Sequence, residues 1–101
     1  MAFNGNFLCT SFKVELMKGV HNFTSASDQF KLALYDNSAT FTAATTAYTS
    51  TNEISGTNYT AKGNFLTSVT PVASSTTALT DFADEVFSTV TISAVRGALI
   101  F

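Results

Sequence analysis

Residues 29–36 read QFKLALYD, and the fold class turns on them. Their side chains alternate at period two: Phe30, Leu32 and Leu34 fall on one face and Lys31, Ala33 and Tyr35 on the other, the pattern of a β-strand. Asp36-Asn37-Ser38 follows as a turn, because Asx side chains bond their own backbone and accept tight geometry. Next, ATFTAATTAYTS (39–50) mixes alanine with threonine and reads as an irregular loop with one helical turn. TNEISGTNYTAKG (51–63) is a turn region: Gly56 and Gly63 supply a tight turn and a bulge, and Ile54 and Tyr59 anchor the flanks. Behind it YTAKGNFLTSVT gives a strand in which Phe65, Thr67 and Val69 oppose Leu66 and Ser68. Pro71 has no N–H for a central ladder, so it opens a polar connector, PVASSTT. Three further strand-like runs follow, TALTDFAD, EVFSTVTIS and VRGALIF, and in the second Val86, Val90 and Ile92 face away from Phe87.

Upstream of the decisive strand, Asn6, FLCTSFKVELMK and Gly19 punctuate one helix over about residues 7–18, with Asn6 as N-cap and glycine at its end. Leu8, Cys9, Phe12 and Leu16 share one stripe of that helix. Phe7 and Val14 point the other way, so it is either sandwiched or turned toward a partner. Phe12, Phe30, Phe65 and Phe82 are assigned to the core.

Composition agrees with a β-rich chain. Hydrophobic residues make up 46 % and charged residues 12 %, so Ser and Thr must furnish the surface. Seventeen threonines and ten phenylalanines favour pleated structure, where branched and aromatic side chains pack well. A length of 101 residues implies a single domain, 1–101. The expected architecture is mainly β, an antiparallel β-sandwich of immunoglobulin-like proportions with one short N-terminal α-helix. A net charge of −2 and five dispersed basic residues argue against nucleic acid, which needs clustered cations. No apolar run is long enough to cross a bilayer, so no membrane partner is expected, and MAFNGNFLCT lacks the form of an export signal. The sequons at Asn22 and Asn58 then read as chance in a Thr-rich chain.

Residues capable of chemistry are few. His21 is the only histidine and Cys9 the only cysteine; no orienting acid or oxyanion motif accompanies them in sequence, and one Cys with one His cannot fill a tetrahedral zinc site. Asp81, Asp84 and Glu85 form the one acidic cluster, but residues an odd number apart on a strand point to opposite faces, so a polar strand end outweighs a Ca²⁺ site. No phosphate-binding glycine loop occurs. Glu53 and Lys62 have no nucleophile, histidine or second acid near them in sequence. No catalytic residue, cofactor, metal or small-molecule substrate is therefore expected. Arg96 is the one charge between two apolar runs, with Asp81, Asp84 or a carbonyl as its expected pairing. The apolar run Ala98 to Phe101 reads as a strand docked in this subunit's sheet or a neighbour's.

The blocks FLCTSFKVELMKGVHNF, FKLALYDNSAT, YTSTNEISGTNYTAKG (Tyr48–Gly63), FADEVFSTVTI and RGALI (Arg96–Ile100) together resemble a family of small virion structural proteins of tailed bacteriophages, over nearly the whole chain. The resemblance implies a non-enzymatic part of the virion, assembled in the host cytoplasm: a capsid decoration or cement protein whose partners are copies of itself and the major capsid protein. A neck, tail or fibre component is the alternative; a carbohydrate- or cell-surface-binding sandwich, with Tyr48 or Tyr59 lining a cleft, is another. Similar proteins continue past the Arg-Gly-Ala-Leu-Ile strand by one or two strands, so C-terminal strands are expected to be missing here or supplied by a partner. Phe7, Val14, Arg96, Leu99, Ile100 and Phe101 are the expected subunit or shell contacts.

Overall fold

The computed structural model describes residues 5–101. Residues Phe30–Tyr35 form the central strand β1, as the alternation requires. Asn64–Leu66 (β2) and Gly97–Ile100 (β5) pair with it antiparallel on either side, giving the order β2-β1-β5. Residues Ser68–Ser74 (β3) and Thr77–Phe82 (β4) make a separate antiparallel hairpin. The chain is thus mainly β, with two antiparallel sheets and one short helix, Thr10–Met17 (α1).

The two faces of β1 are used differently. Ala33 and Tyr35 are completely buried, in a cluster with Ala39 and Phe41 from the following loop and with Tyr48, Leu99 and Phe101 at its margin. Tyr35 meets Phe41 edge-on at 4.6 Å, so residues 39–50, irregular as expected and without the helical turn, form the lid over this face. On the opposite face Phe30 lies within an aromatic group: it stacks on Phe23 at 4.7 Å and meets Phe82 of β4 at 5.8 Å. Phe82 is the side chain that ties the hairpin to the first sheet; between Val69 and Asp81 every hairpin residue is exposed.

Several expectations are corrected. The helix begins at Thr10 and not near residue 7: Cys9 is its N-cap, with no side-chain cap, and its start is held by Thr10 N–H donating to Ala43 O at 2.8 Å. A backbone carbonyl from the lid loop does what Asn6 was expected to do, so Phe7 and Leu8 lie outside the helix. Its other end is as expected. Gly19 (φ +72°) donates to Leu16 O and Val20 to Glu15 O, a paired motif that satisfies the last carbonyls.

Pro71 lies inside β3 and not in a connector, at the register shift between Val69 and Val72, where a bulge needs no N–H. The reversal comes later, at Ser75 (φ 56°). The strand read through Gly63 is really two, β2 and β3, broken at Thr67, whose carbonyl accepts from Ala83 N–H. EVFSTVTIS forms no strand beyond a bridge from Thr91 to Thr57. Phe65 is 56 % exposed rather than core, and its ring lies 4.4 Å beneath the Lys31 ammonium.

Candidate assembly surface

Ladder parity sets the edge chemistry of β5. Lys31 and Phe101 exchange both backbone hydrogen bonds, at 2.7 and 3.0 Å, so Phe101, Leu99 and Gly97 aim their amides at β1. By alternation Ala98 and Ile100 direct N–H and C=O away from β1. Both residues are exposed, Ile100 at 50 %.

Beside this edge runs an open groove of about 910 Å³. Its walls are the segment before and within α1 (Phe7, Leu8, Phe12, Leu16), the strand β5 with Phe101, and the hairpin (Pro71, Leu79, Phe82). Of the six expected contact residues, five line it together: Phe7, Arg96, Leu99, Ile100 and Phe101. Val14 does not; it sits exposed on α1, away from the groove. On α1 itself Leu16 and Met17 are exposed, as is Leu8 just before it.

A hydrogen-bonded network ties the 48–63 turn to β1. The Glu53 carboxylate accepts from the Tyr48 hydroxyl, from the Tyr59 hydroxyl at 2.6 Å and from the Lys62 backbone N–H at 2.7 Å. The Tyr59 oxygen in turn accepts from Leu34 N–H of β1 at 3.0 Å, and the Tyr35 hydroxyl donates to Thr49 O at 2.7 Å. Ile54 N–H donates to Leu34 O, so residues 52–54 continue the ladder past β2. Burial, then the hydrogen bond to Glu53, pushes the Tyr59 phenol up to about 12. Burial raises Tyr35 further, with Glu53 adding to it, and the Tyr48 phenol is raised chiefly by its bond to Glu53. Tyr48 stacks on Phe101 at 4.8 Å, which carries the network to the end of β5. Sequence inspection missed this role of Glu53, because its partners lie five and six residues away on opposite sides of a turn. The signal was the tyrosine flanking the acid on each side.

The other candidates resolve as follows. His21 Nε2 lies 3.0 Å from Glu15 Oε1, an orienting acid that sequence spacing did not reveal, and its ring packs on Phe12 at 5.2 Å. The Cys9 thiol points to Thr42 O at 3.9 Å. Asp81 accepts from the N–H of Phe82, Glu85 accepts from Asn64, and among the described residues no three His, Cys, Asp or Glu side chains group as metal ligands. Tyr48 has Phe101 on its ring and Lys62 Nζ 5.6 Å from its centroid, while Tyr59 stacks on Phe87. Tyr48 also lines a second, smaller cleft of about 200 Å³, with Ser11, Phe12 and Phe101. Among the described residues no helix is long and apolar enough to cross a membrane. No protein-family model, curated protein or solved structure matches this chain.

Proposed function

We propose that the protein is a non-enzymatic structural component of a tailed-phage virion, a decoration or cement subunit that adheres to the capsid through the groove beside β5. The observation that carries the reading is excess exposed surface. The chain exposes 6758 Å², whereas a compact monomer of this size exposes about 5,500 Å². Its radius of gyration is 14.7 Å, against about 13 Å for a compact domain of this length. The chain also carries an open apolar groove beside β5, which suits a subunit that buries area against neighbours. The virion assignment is supported by the resemblance of the Tyr48–Gly63 and Arg96–Ile100 blocks. The sandwich belongs to the same proposal: sheets β2-β1-β5 and β3-β4 become its two layers when a partner fills the groove between them. Partners are copies of this chain and the major capsid protein, and no substrate is involved. His21 is taken as structural because its partner is Glu15 while the Cys9 thiol is turned to a carbonyl.

The test is sedimentation of the purified protein with shells assembled from a major capsid protein encoded in the same genome. Saturable co-sedimentation, weakened by Leu79→Glu in the groove wall, is expected. A folded protein that stays wholly in the supernatant overturns the assignment.

A further inference from the structure

We infer that residues 84–95, in the connection from β4 to β5, form a releasable strap that opens as a unit while the sheet stays folded, and that strain at Thr89 sets how readily it opens. The strap is a property of the single chain, whatever the chain assembles with. EVFSTVTIS has the period and composition of a strand, and Thr89, Val90, Thr91 and Ile92 are all β-branched. The segment nevertheless makes no ladder beyond the Thr57–Thr91 bridge, and Thr89 and Ala94 are held at φ 52° and 60°. A branched Cβ crowds the backbone in that left-handed region, so the closed strap stores strain that an extended backbone at Thr89 relieves. Local preference and closed shape disagree here, and the disagreement favours opening.

Residues 56–64 hold the strap closed. The Asn58 side-chain amide clasps Thr89, donating to its carbonyl at 3.0 Å and to its hydroxyl oxygen at 3.2 Å. Thr57 and Thr91 exchange backbone bonds at 3.1 and 2.9 Å, and Gly56 permits that approach, since a Cβ there would lie 2.3 Å from Thr91 O. Tyr59 stacks on Phe87 at 5.9 Å, and the Asn64 amide of β2 donates to Glu85 Oε2 at 2.9 Å. The ends are anchored separately: Ala83 N–H donates to Thr67 O at 2.9 Å and Arg96 N–H to Tyr35 O at 2.8 Å. The residues between them can therefore leave while β4 and β5 stay in place. No residue from 84 to 95 is buried, so opening exposes little apolar surface and breaks bonds that water replaces. Ala33 and Tyr35 of β1, in contrast, are completely buried, which keeps the sheet closed after the strap has gone. Opening bares the Tyr59 ring and the Asn64 amide, while the Tyr59 hydroxyl keeps its bond to Glu53. The strap is thus a cover over the 56–64 turn and the start of β2.

Native-state amide hydrogen exchange of the full chain, read residue by residue by NMR, tests this. The Thr91 N–H, bonded to Thr57 O, reports the strap, and the amides of β1 report the sheet. Thr91 is expected to exchange at least about a hundredfold faster than the β1 amides. Its rate is expected to be insensitive to urea below the unfolding transition, because little surface is exposed, while the β1 rates rise steeply. Thr89→Asn accepts the left-handed backbone without a branched Cβ, and is expected to slow Thr91 exchange by about fivefold. Thr89→Val keeps the branch and removes the hydroxyl, and Asn58→Gly keeps the turn and removes both clasp bonds; each is expected to speed it by about tenfold. Thr91 exchange that matches β1 in rate and urea dependence overturns the strap, since the segment would then open only with the whole fold. Thr89→Asn that speeds exchange as Thr89→Val does overturns the stored strain, and Asn58→Gly without effect overturns the clasp. None of these outcomes depends on whether the protein sediments with shells, so the strap and the assembly reading fail separately.

Discussion

Glu53→Ala is the perturbation that most directly probes how this chain holds itself together. The carboxylate receives three hydrogen bonds, from Tyr48, Tyr59 and the Lys62 N–H, and thereby ties the 48–63 turn to β1 and to the end of β5. A hydrogen bond to a charged acceptor contributes about 1.5–3 kcal/mol when buried. Here the carboxylate is half-buried and the freed phenols can turn to water, so the expected loss is about 3 kcal/mol in total. Against a typical total of about 5–15 kcal/mol that is a large share. It corresponds to a fall in Tm of about 12–24 °C for a domain of this size. Glu53→Gln keeps the shape and one acceptor oxygen, and is expected to cost only about 1 kcal/mol. Urea unfolding followed by circular dichroism gives both values. A double-mutant cycle of Glu53→Ala with Tyr59→Phe is expected to show coupling of about 1–2 kcal/mol, because the two groups share a bond. A Glu53→Ala protein within about 0.5 kcal/mol of wild type, or strict additivity in the cycle, refutes the network as a source of stability.

Alkaline pH tests the same phenols. Their folded-state values lie above the ordinary 10.0, so the protonated rings stabilise the fold at full strength below about pH 10 and that contribution is lost as pH rises toward 12. Urea midpoints that stay flat across this window contradict the assignment. Gly63→Ala is expected to cost about 3 kcal/mol or more, since φ is +73° and a Cβ would lie 1.7 Å from Leu32 O. Gly19→Ala, also at positive φ but with nothing within 4 Å, is expected to cost about 1 kcal/mol, and equal Tm losses for the two would disprove the steric account. Phe82→Ala is expected to free the hairpin, seen as faster amide exchange across 68–82 with protection in β1 retained. Unchanged exchange across 68–82 would show that the hairpin is anchored elsewhere.

How much of this was legible beforehand depends on whether the signal is local. The alternation in QFKLALYD placed β1 on its observed residues, and Gly19 ended the helix, because side-chain parity and a left-handed backbone position are decided within a few residues. Ala98 to Phe101 reads as an apolar strand for the same reason, and Gly97–Ile100 is β5. The helix start was misplaced because its capping group, Ala43 O, comes from a loop more than thirty residues away. Pro71 was misplaced because a bulge exempts one strand position from donating, and nothing in PVASSTT announces which position that is. Glu53 looked inert because its importance comes from donors gathered by folding, not from neighbours in the chain.

By itself, then, the sequence determined the β-rich class, the central strand, the helix end and the scarcity of reactive side chains, all of which follow from composition and short-range periodicity. Tertiary structure alone decided which face of β1 is sealed, that Phe65 lies outside while Tyr35 lies at the centre, and that Tyr48 and Tyr59 enclose one acid. It also decided that Ala98 and Ile100 turn their backbone groups away from β1. That choice comes from which residues of β5 bond to β1, and ladder parity is a property of two strands in register, which no single strand's sequence contains.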